Sequence, residues 1–208
     1  LLQQAETRRL VPPELTTPAG LLDRYLIRSM AHADSFTLQL AWLSAIRQAS
    51  PTVLKSVTGH DTAPTVREST ALANRLQKLL HDLGGGGYTP LETLSLGMKA
   101  GMPLESDRWE GLESIWKNVQ SILDCMNRRD PDAARRHALD SESIHVDHIE
   151  SVSIVSADPS RLVTRLLDQL HDRGIRITSI IHGREEDLKD DFDVHGGVIL
   201  DKWERRSI

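Results

Sequence analysis

The chain has 208 residues, a net charge of −5 and only four Trp, two Tyr and two Phe, so its core must be built from Leu, Ile, Val and Ala. One cysteine, Cys125, excludes an internal disulfide and fits a reducing compartment. No apolar run reaches the roughly 20 residues of a membrane span, and no signal-peptide pattern opens the chain, so an intracellular, cytoplasmic protein without membrane contact is expected.

Charge is uneven along the chain. Residues 1–139 carry 16 basic and 15 acidic side chains, whereas residues 140–208 carry 9 and 15. An acidic C-terminal third is ill suited to tracking a phosphate backbone.

Residues 1–16, with Arg8, Arg9, Pro12 and Pro13, read as a partly ordered leader. Thr17-Pro18 caps and opens a helix to about residue 31, with Leu21, Leu22, Tyr25, Leu26 and Met30 on one face. Asp34 caps the next helix, which runs to about Ala49 without a charge between Ser35 and Arg47. Such a segment is expected at the centre of the helical region. A short helical turn follows at residues 52–58.

Thr65-Val-Arg-Glu68 is a capping box, and Leu72, Leu76, Leu79, Leu80 and Leu83 form the stripe of the helix it starts. The four glycines at 84–87 lack the Lys-Ser/Thr of a phosphate loop and read as a flexible connector. Thr89-Pro-Leu-Glu92 is a second capping box, opening a helix to about Lys99.

Ser106 is expected to cap the longest helix, to about Arg128. Trp109, Leu112, Trp116, Val119, Leu123 and Met126 fall three and four residues apart, widened by Ile115 and Ile122. That seam reads as packing within a helical bundle, or else as a partner-binding surface anchored by Trp109 and Trp116. Cys125 within it reads as a buried structural thiol. Asp130-Pro131 caps a last helix to about Leu139. Arg128, Arg129, Arg135 and Arg136 make a basic group that can meet phosphate, an acidic partner or the chain's own acidic third.

Beyond Ser141-Glu-Ser143 the pattern changes. Ile144 to Val155 gives one or two strands. Asp158-Pro159 opens an amphipathic helix with Leu162, Val163, Leu166, Leu167 and Leu170, closed by Gly174, and Ile175 to Ile181 is a strand. A connection of this length makes the two strands parallel. Glu185 to Asp193 holds six acids against Lys189. Residues 196–200 read as a third strand, before a charged tail around Trp203.

Two histidines near the strand ends, His182 and His195, are the weak catalytic candidates. With Asp158 and Asp193 they are also the candidate ligands for a divalent ion. His145-Val-Asp147-His148 is a second group, but strand alternation turns His148 away from the other two. Asp193-Val-His195-Gly196 resembles the opening motif of metallophosphoesterases, although the later Asp, Asn and His motifs of that family have no room after it. Residues 152–200, with His182-Gly183 after a strand and an acidic helix following, are similar to the second RecA-like domain of superfamily 2 helicases. They lack the Walker motifs and the arginine motif that ATP hydrolysis needs. The same segment resembles the first half of an ACT-type regulatory domain.

These observations predict an α+β protein: a leader at 1–16, a predominantly helical bundle over 17–139, and a small βαβ-containing unit of three or four strands over 144–208. The functional expectation is a non-enzymatic protein–protein interaction, assembly or regulatory module, binding another chain or itself, with no cofactor. The alternatives are a metal-dependent hydrolase or nucleotide-binding domain using the acids and histidines near the sheet, and nucleic-acid binding through the arginines.

Overall fold

A computed structural model describes residues 14–26, 31–60, 64–102, 105–146, 149–155, 158–182, 191–199 and 202. Most of the leader, Asp147 with His148, Gly183 with the acidic run to residue 190, and the tail around Trp203 lie outside these residues.

The fold is α+β and mostly helical, with eight helices and two small parallel sheets among the described residues. Local side chains set most of the helix starts. Helix α1 (Pro18–Tyr25) begins where the Thr17 hydroxyl accepts the Gly20 N–H at 3.1 Å. It stops short of the expected residue 31, because Leu26 leaves the helix for a single antiparallel bridge to Ile144. Strand β1 (Ala31–His32) follows, a two-residue element with no periodic signal. Helix α2 (Ser35–Gln48) is capped by Asp34, whose carboxylate accepts the Thr37 N–H at 2.7 Å. The Asp34 carboxyl is held below the usual range by that bond. Helix α3 (Pro51–Thr58) starts under Ser50 and ends on Gly59 at φ +76°.

Both predicted capping boxes are present. Thr65 and Glu68 start α4 (Val66–Gly85), and Thr89 and Glu92 start α5 (Pro90–Lys99). Helix α6 (Ser106–Cys125) has Glu105 at its N-cap without a side-chain bond, so the expected Ser106 cap is displaced by one residue. Strand β2 (Arg128–Arg129) pairs with β1 in parallel, Ala31 beside Arg128. Helix α7 (Pro131–Asp140) is capped by Asp130, which accepts the N–H groups of Asp132 and Ala133 at 3.0 and 2.9 Å.

The βαβ unit consists of β3 (Ser151–Ile154), α8 (Arg161–Asp172) and β4 (Arg176–Ser179). The strands are parallel, with Val152 beside Ile177. Asp158 is not the cap of α8: it adopts φ +57° and donates its N–H to the Gly196 carbonyl, and the helix begins after Ser160. The expected third strand is reduced to one antiparallel bridge between Phe192 and Val198, because a turn held by Asp193 occupies its start.

Two hydrophobic clusters organise the molecule. One surrounds α8: Leu162, Val163, Leu166, Leu167 and Leu170 pack against Val152 and Ile154, Leu21 and Leu22 of α1, and Ala138 and Leu139 of α7. The other joins α2, α3, α4 and α6 through Trp42, Ile46, Val57, Leu76, Ile115, Val119 and Leu123. Packing therefore crosses residues 140–143: α1 and the end of α7 belong to the βαβ core. Full burial of each Leu or Ile contributes roughly 1.5–3 kcal/mol.

Helix α2 is central, as its lack of charge predicts, yet Phe36 and Leu40 on it are exposed. Glycine permits the tightest helix contact. A Cβ on Gly111 of α6 would lie 2.3 Å from Ser56 Oγ and 3.1 Å from Val57 Cγ2 of α3.

Candidate functional site

A cleft of about 430 Å³ opens between α2, α4, α6 and the first turn of α7. Its apolar wall comes from Leu38, Trp42 and Leu80, with Trp116 and Tyr88 beside it. Its polar wall comes from Gln77, His81, Gln120, Asp130, Asp132, Arg135 and Arg136. That size and mixture suit recognition of a small group.

The polar wall exists because α7 starts very close to α4. A Cβ on Gly84 would sit 2.8 Å from Asp132 Cβ, so α7 can seat its first turn on α4 only where α4 has no side chain. The glycine run is thus more than a connector: Gly84 and Gly85 are helical, Gly86 and Gly87 make the turn, and of the four only Gly87, against Leu162, takes a positive φ, +87°.

Asp132 is buried, with its Oδ2 2.7 Å from His81 Nδ1 and its Oδ1 accepting from Arg135 at 2.8 Å. Arg135 in turn grips Asp23 of α1 through two bonds, Nε to Oδ1 at 3.0 Å and Nη2 to Oδ2 at 2.9 Å. Burial alone would lower the Arg135 pKa, but the bonds and charges of Asp23 and Asp132 outweigh it and raise the pKa. One polar chain, His81–Asp132–Arg135–Asp23, therefore runs from α4 to α1, linking the two cores. Asp130, by contrast, is pushed above the ordinary carboxylate range by burial. The Ala133 N–H opposes that push, and the charge of Asp132 adds to it.

The four arginines of the sequence do not share a face. Arg128 and Arg129 lie in β2, and the backbone carbonyl of Arg129 accepts the Ala33 N–H at 2.9 Å. Arg135 is held by its two carboxylates. Arg136 stacks on Trp116, its guanidinium 5.4 Å from the ring centroid. The two tryptophans also part company: both pack on the second core, but of the pair only Trp116 lines the cleft. Met126 is half exposed, and Cys125, expected buried, is exposed at the end of α6.

The histidine candidates serve the loop after β4. His195 Nε2 lies 2.6 Å from Asp168 Oδ1 of α8, and Asp193 Oδ1 accepts the N–H groups of His195 and Gly197 at 2.9 and 2.7 Å. His182 is exposed. Among the described residues no three His, Cys, Asp or Glu side chains are arranged to hold a metal ion, so Asp158, His182, Asp193 and His195 do not make one site.

Sequence reasoning missed Tyr88, His81, Gln120, Glu92 and Arg161. The last two meet beside the cleft, Arg161 Nη1 lying 3.4 Å from Glu92 Oε1 with its guanidinium 5.2 Å from the Tyr88 ring centroid. Glu92 carried a signal, but its capping role explained it fully.

No known protein family matches this chain, and no curated protein and no solved structure is significantly similar to it.

Proposed function

We propose that this chain is a non-enzymatic interaction or regulatory module, which recognises a partner at the cleft and along the adjoining face of α5. One observation carries the reading: the cleft combines aromatic and arginine side chains with an Asp132 whose two oxygens are both engaged internally. That mixture suits holding a ligand through ring contact, charge and hydrogen bonds.

The face of α5 supports the same reading. Pro90, Leu94 and Gly97 are buried, while Leu91 and Met98, seven residues apart and so on one side, are exposed. Met102, just past the helix end, is exposed as well. Methionine adapts to varied apolar partners.

Partner or self-association is tested by light scattering on purified protein across a wide concentration range. A mass that rises with concentration in wild type, and stays at that of a monomer in Met98→Glu, supports the reading. Strict monomers in both, with no partner retained on immobilised protein, sink it. Nucleic-acid binding through the arginines stands as a second proposal only for the exposed Arg128. A single contact of that kind predicts a shallow salt dependence, with a log–log slope of about −0.9.

A further inference from the structure

We infer that the cleft takes a flat organic anion, an aromatic carboxylate or phosphate monoester, and that Glu92 is the internal anion this ligand displaces. The inference rests on the cleft being the recognition site proposed above and names the chemistry it selects.

Two guanidinium groups meet at Glu92. Arg136, stacked on Trp116, approaches Glu92 Oε2 at 4.0 Å, and Arg161, stacked on Tyr88, approaches Oε1 at 3.4 Å. Each arginine thereby has an aromatic ring within cation–π range, 5.4 Å away for Arg136 and 5.2 Å for Arg161. Their bonds to Glu92 are long. Arg135, by comparison, bonds Asp132 and Asp23 at 2.8 to 3.0 Å.

Glu92 is not placed by the arginines in any case. Its Oε2 accepts the Thr89 N–H at 2.9 Å, closing the capping box of α5. One carboxylate committed to a helix start thus faces two positive charges, leaving one of them unbalanced. Arg136 Nε and the Gln120 amide nitrogen, both on residues lining the cleft, are covered and have no hydrogen-bond partner among the described residues. A ligand oxygen seated between Arg136 and Arg161 gives this end of the cleft a shorter-range acceptor than Glu92 does.

The nearby acids are turned to internal partners: Asp132 to His81 and to Arg135, which it shares with Asp23, and Asp130 to the N–H groups of α7. Trp116, Trp42 and Leu38 supply the apolar wall against which a flat body lies.

The test uses the full chain with benzoate and phenyl phosphate as probes and benzamide as the neutral control. Binding is followed by tryptophan fluorescence, since Trp42 and Trp116 line the cleft, and by amide chemical shifts. Both anions should bind and compete with each other, and benzamide should bind at least about fivefold more weakly. Glu92→Gln keeps the capping box, because glutamine fills that position, and should tighten benzoate by about fivefold. Arg161→Gln, on a half-exposed side chain whose loss leaves the cores intact, should weaken it by a similar factor.

Equal binding of benzamide and benzoate would leave the cleft as a site but overturn its choice of an anion. Glu92→Gln binding no tighter than wild type would overturn the displacement. Absence of shifts at cleft residues with every probe would overturn the inference and remove the cleft from the proposed function, while leaving the light-scattering result on self-association standing.

Discussion

The two cores are built to different rules. The βαβ core gathers distant segments around one helix: α8 buries five apolar side chains, and α1, the end of α7 and both sheet strands close over them. The second core is assembled from helices near one another in sequence, α2, α3, α4 and α6, around Trp42, with small residues such as Ala41, Ala45, Ala73 and Gly111 letting helices approach. What joins them is polar. Helix α7 gives Ala138 and Leu139 to one core and sends Asp132 and Arg135 toward α4 and α1. Polar seams between units are where relative motion is expected, and the cleft lies at the polar end of this one.

The largest test of that contrast removes core volume on each side. Leu166→Ala in α8 and Ile115→Ala in α6 each empty a site that solvent does not reach, and each should cost about 2–5 kcal/mol. Denaturant unfolding followed by tryptophan fluorescence and by far-UV circular dichroism distinguishes the outcomes. If the cores unfold together, both variants shift one coincident transition. If the seam is weak, Ile115→Ala moves the fluorescence transition, because Trp42, Trp109 and Trp116 pack on its core, and leaves a later circular dichroism step in place.

The seam itself is the next target. Asp132→Asn keeps the shape but removes the charge that Arg135 and His81 share, and should cost about 1.5–3 kcal/mol. Asp23 still holds Arg135 through two bonds, which keeps the cost from rising further. Gly84→Ala reaches the same seam from the other side by pressing a methyl group against Asp132. If these changes loosen the seam, the two spectroscopic transitions should separate more than in wild type. Coincident transitions in both variants would show that apolar contacts such as Gly87 with Leu162 already bind the cores together.

Much of this architecture was legible in the sequence because it is locally encoded. Thr17, Asp34, Thr65, Thr89 and Asp130 each announce a helix start through bonds to residues two or three ahead, and all five caps are found. The parallel β3–β4 pair follows from a crossover helix of ordinary length. The pairing of β1 with β2 was not legible: two-residue strands have no period, and their partners lie 97 positions apart, from Ala31 to Arg128. The cleft was half legible. Trp116, Arg135 and Arg136 stood out by type, but nothing in their spacing tells which arginine pairs with Asp23 and which stacks on a ring. Glu92 and Arg161 meet across 69 positions, beyond any helical period.

The smallest effect is the most specific to the cleft end of the seam. Asp130 accepts two backbone N–H groups at the start of α7, so Asp130→Ala should lose a cap worth about 1 kcal/mol at every pH. Asp130→Asn keeps an oxygen acceptor and cannot ionise, which isolates the charge. Burial raises the carboxyl's pKa in the folded state, so the fold binds that proton more tightly than the unfolded chain does. The resulting stability is fully present below the unfolded value and is lost as pH rises through the raised folded value. Wild type should therefore lose stability relative to Asp130→Asn over that interval and run parallel to it above. Asp34 and Glu68, both held low by their caps, titrate in the opposite sense in the same acid range, but they do so in both proteins and cancel in the difference. Urea denaturation at a series of pH values gives that difference directly. A flat difference, or wild type gaining stability relative to Asp130→Asn as pH rises, would mean that burial does not govern Asp130, so that the first turn of α7 stands open to water and the polar wall of the cleft is looser than its bonds imply.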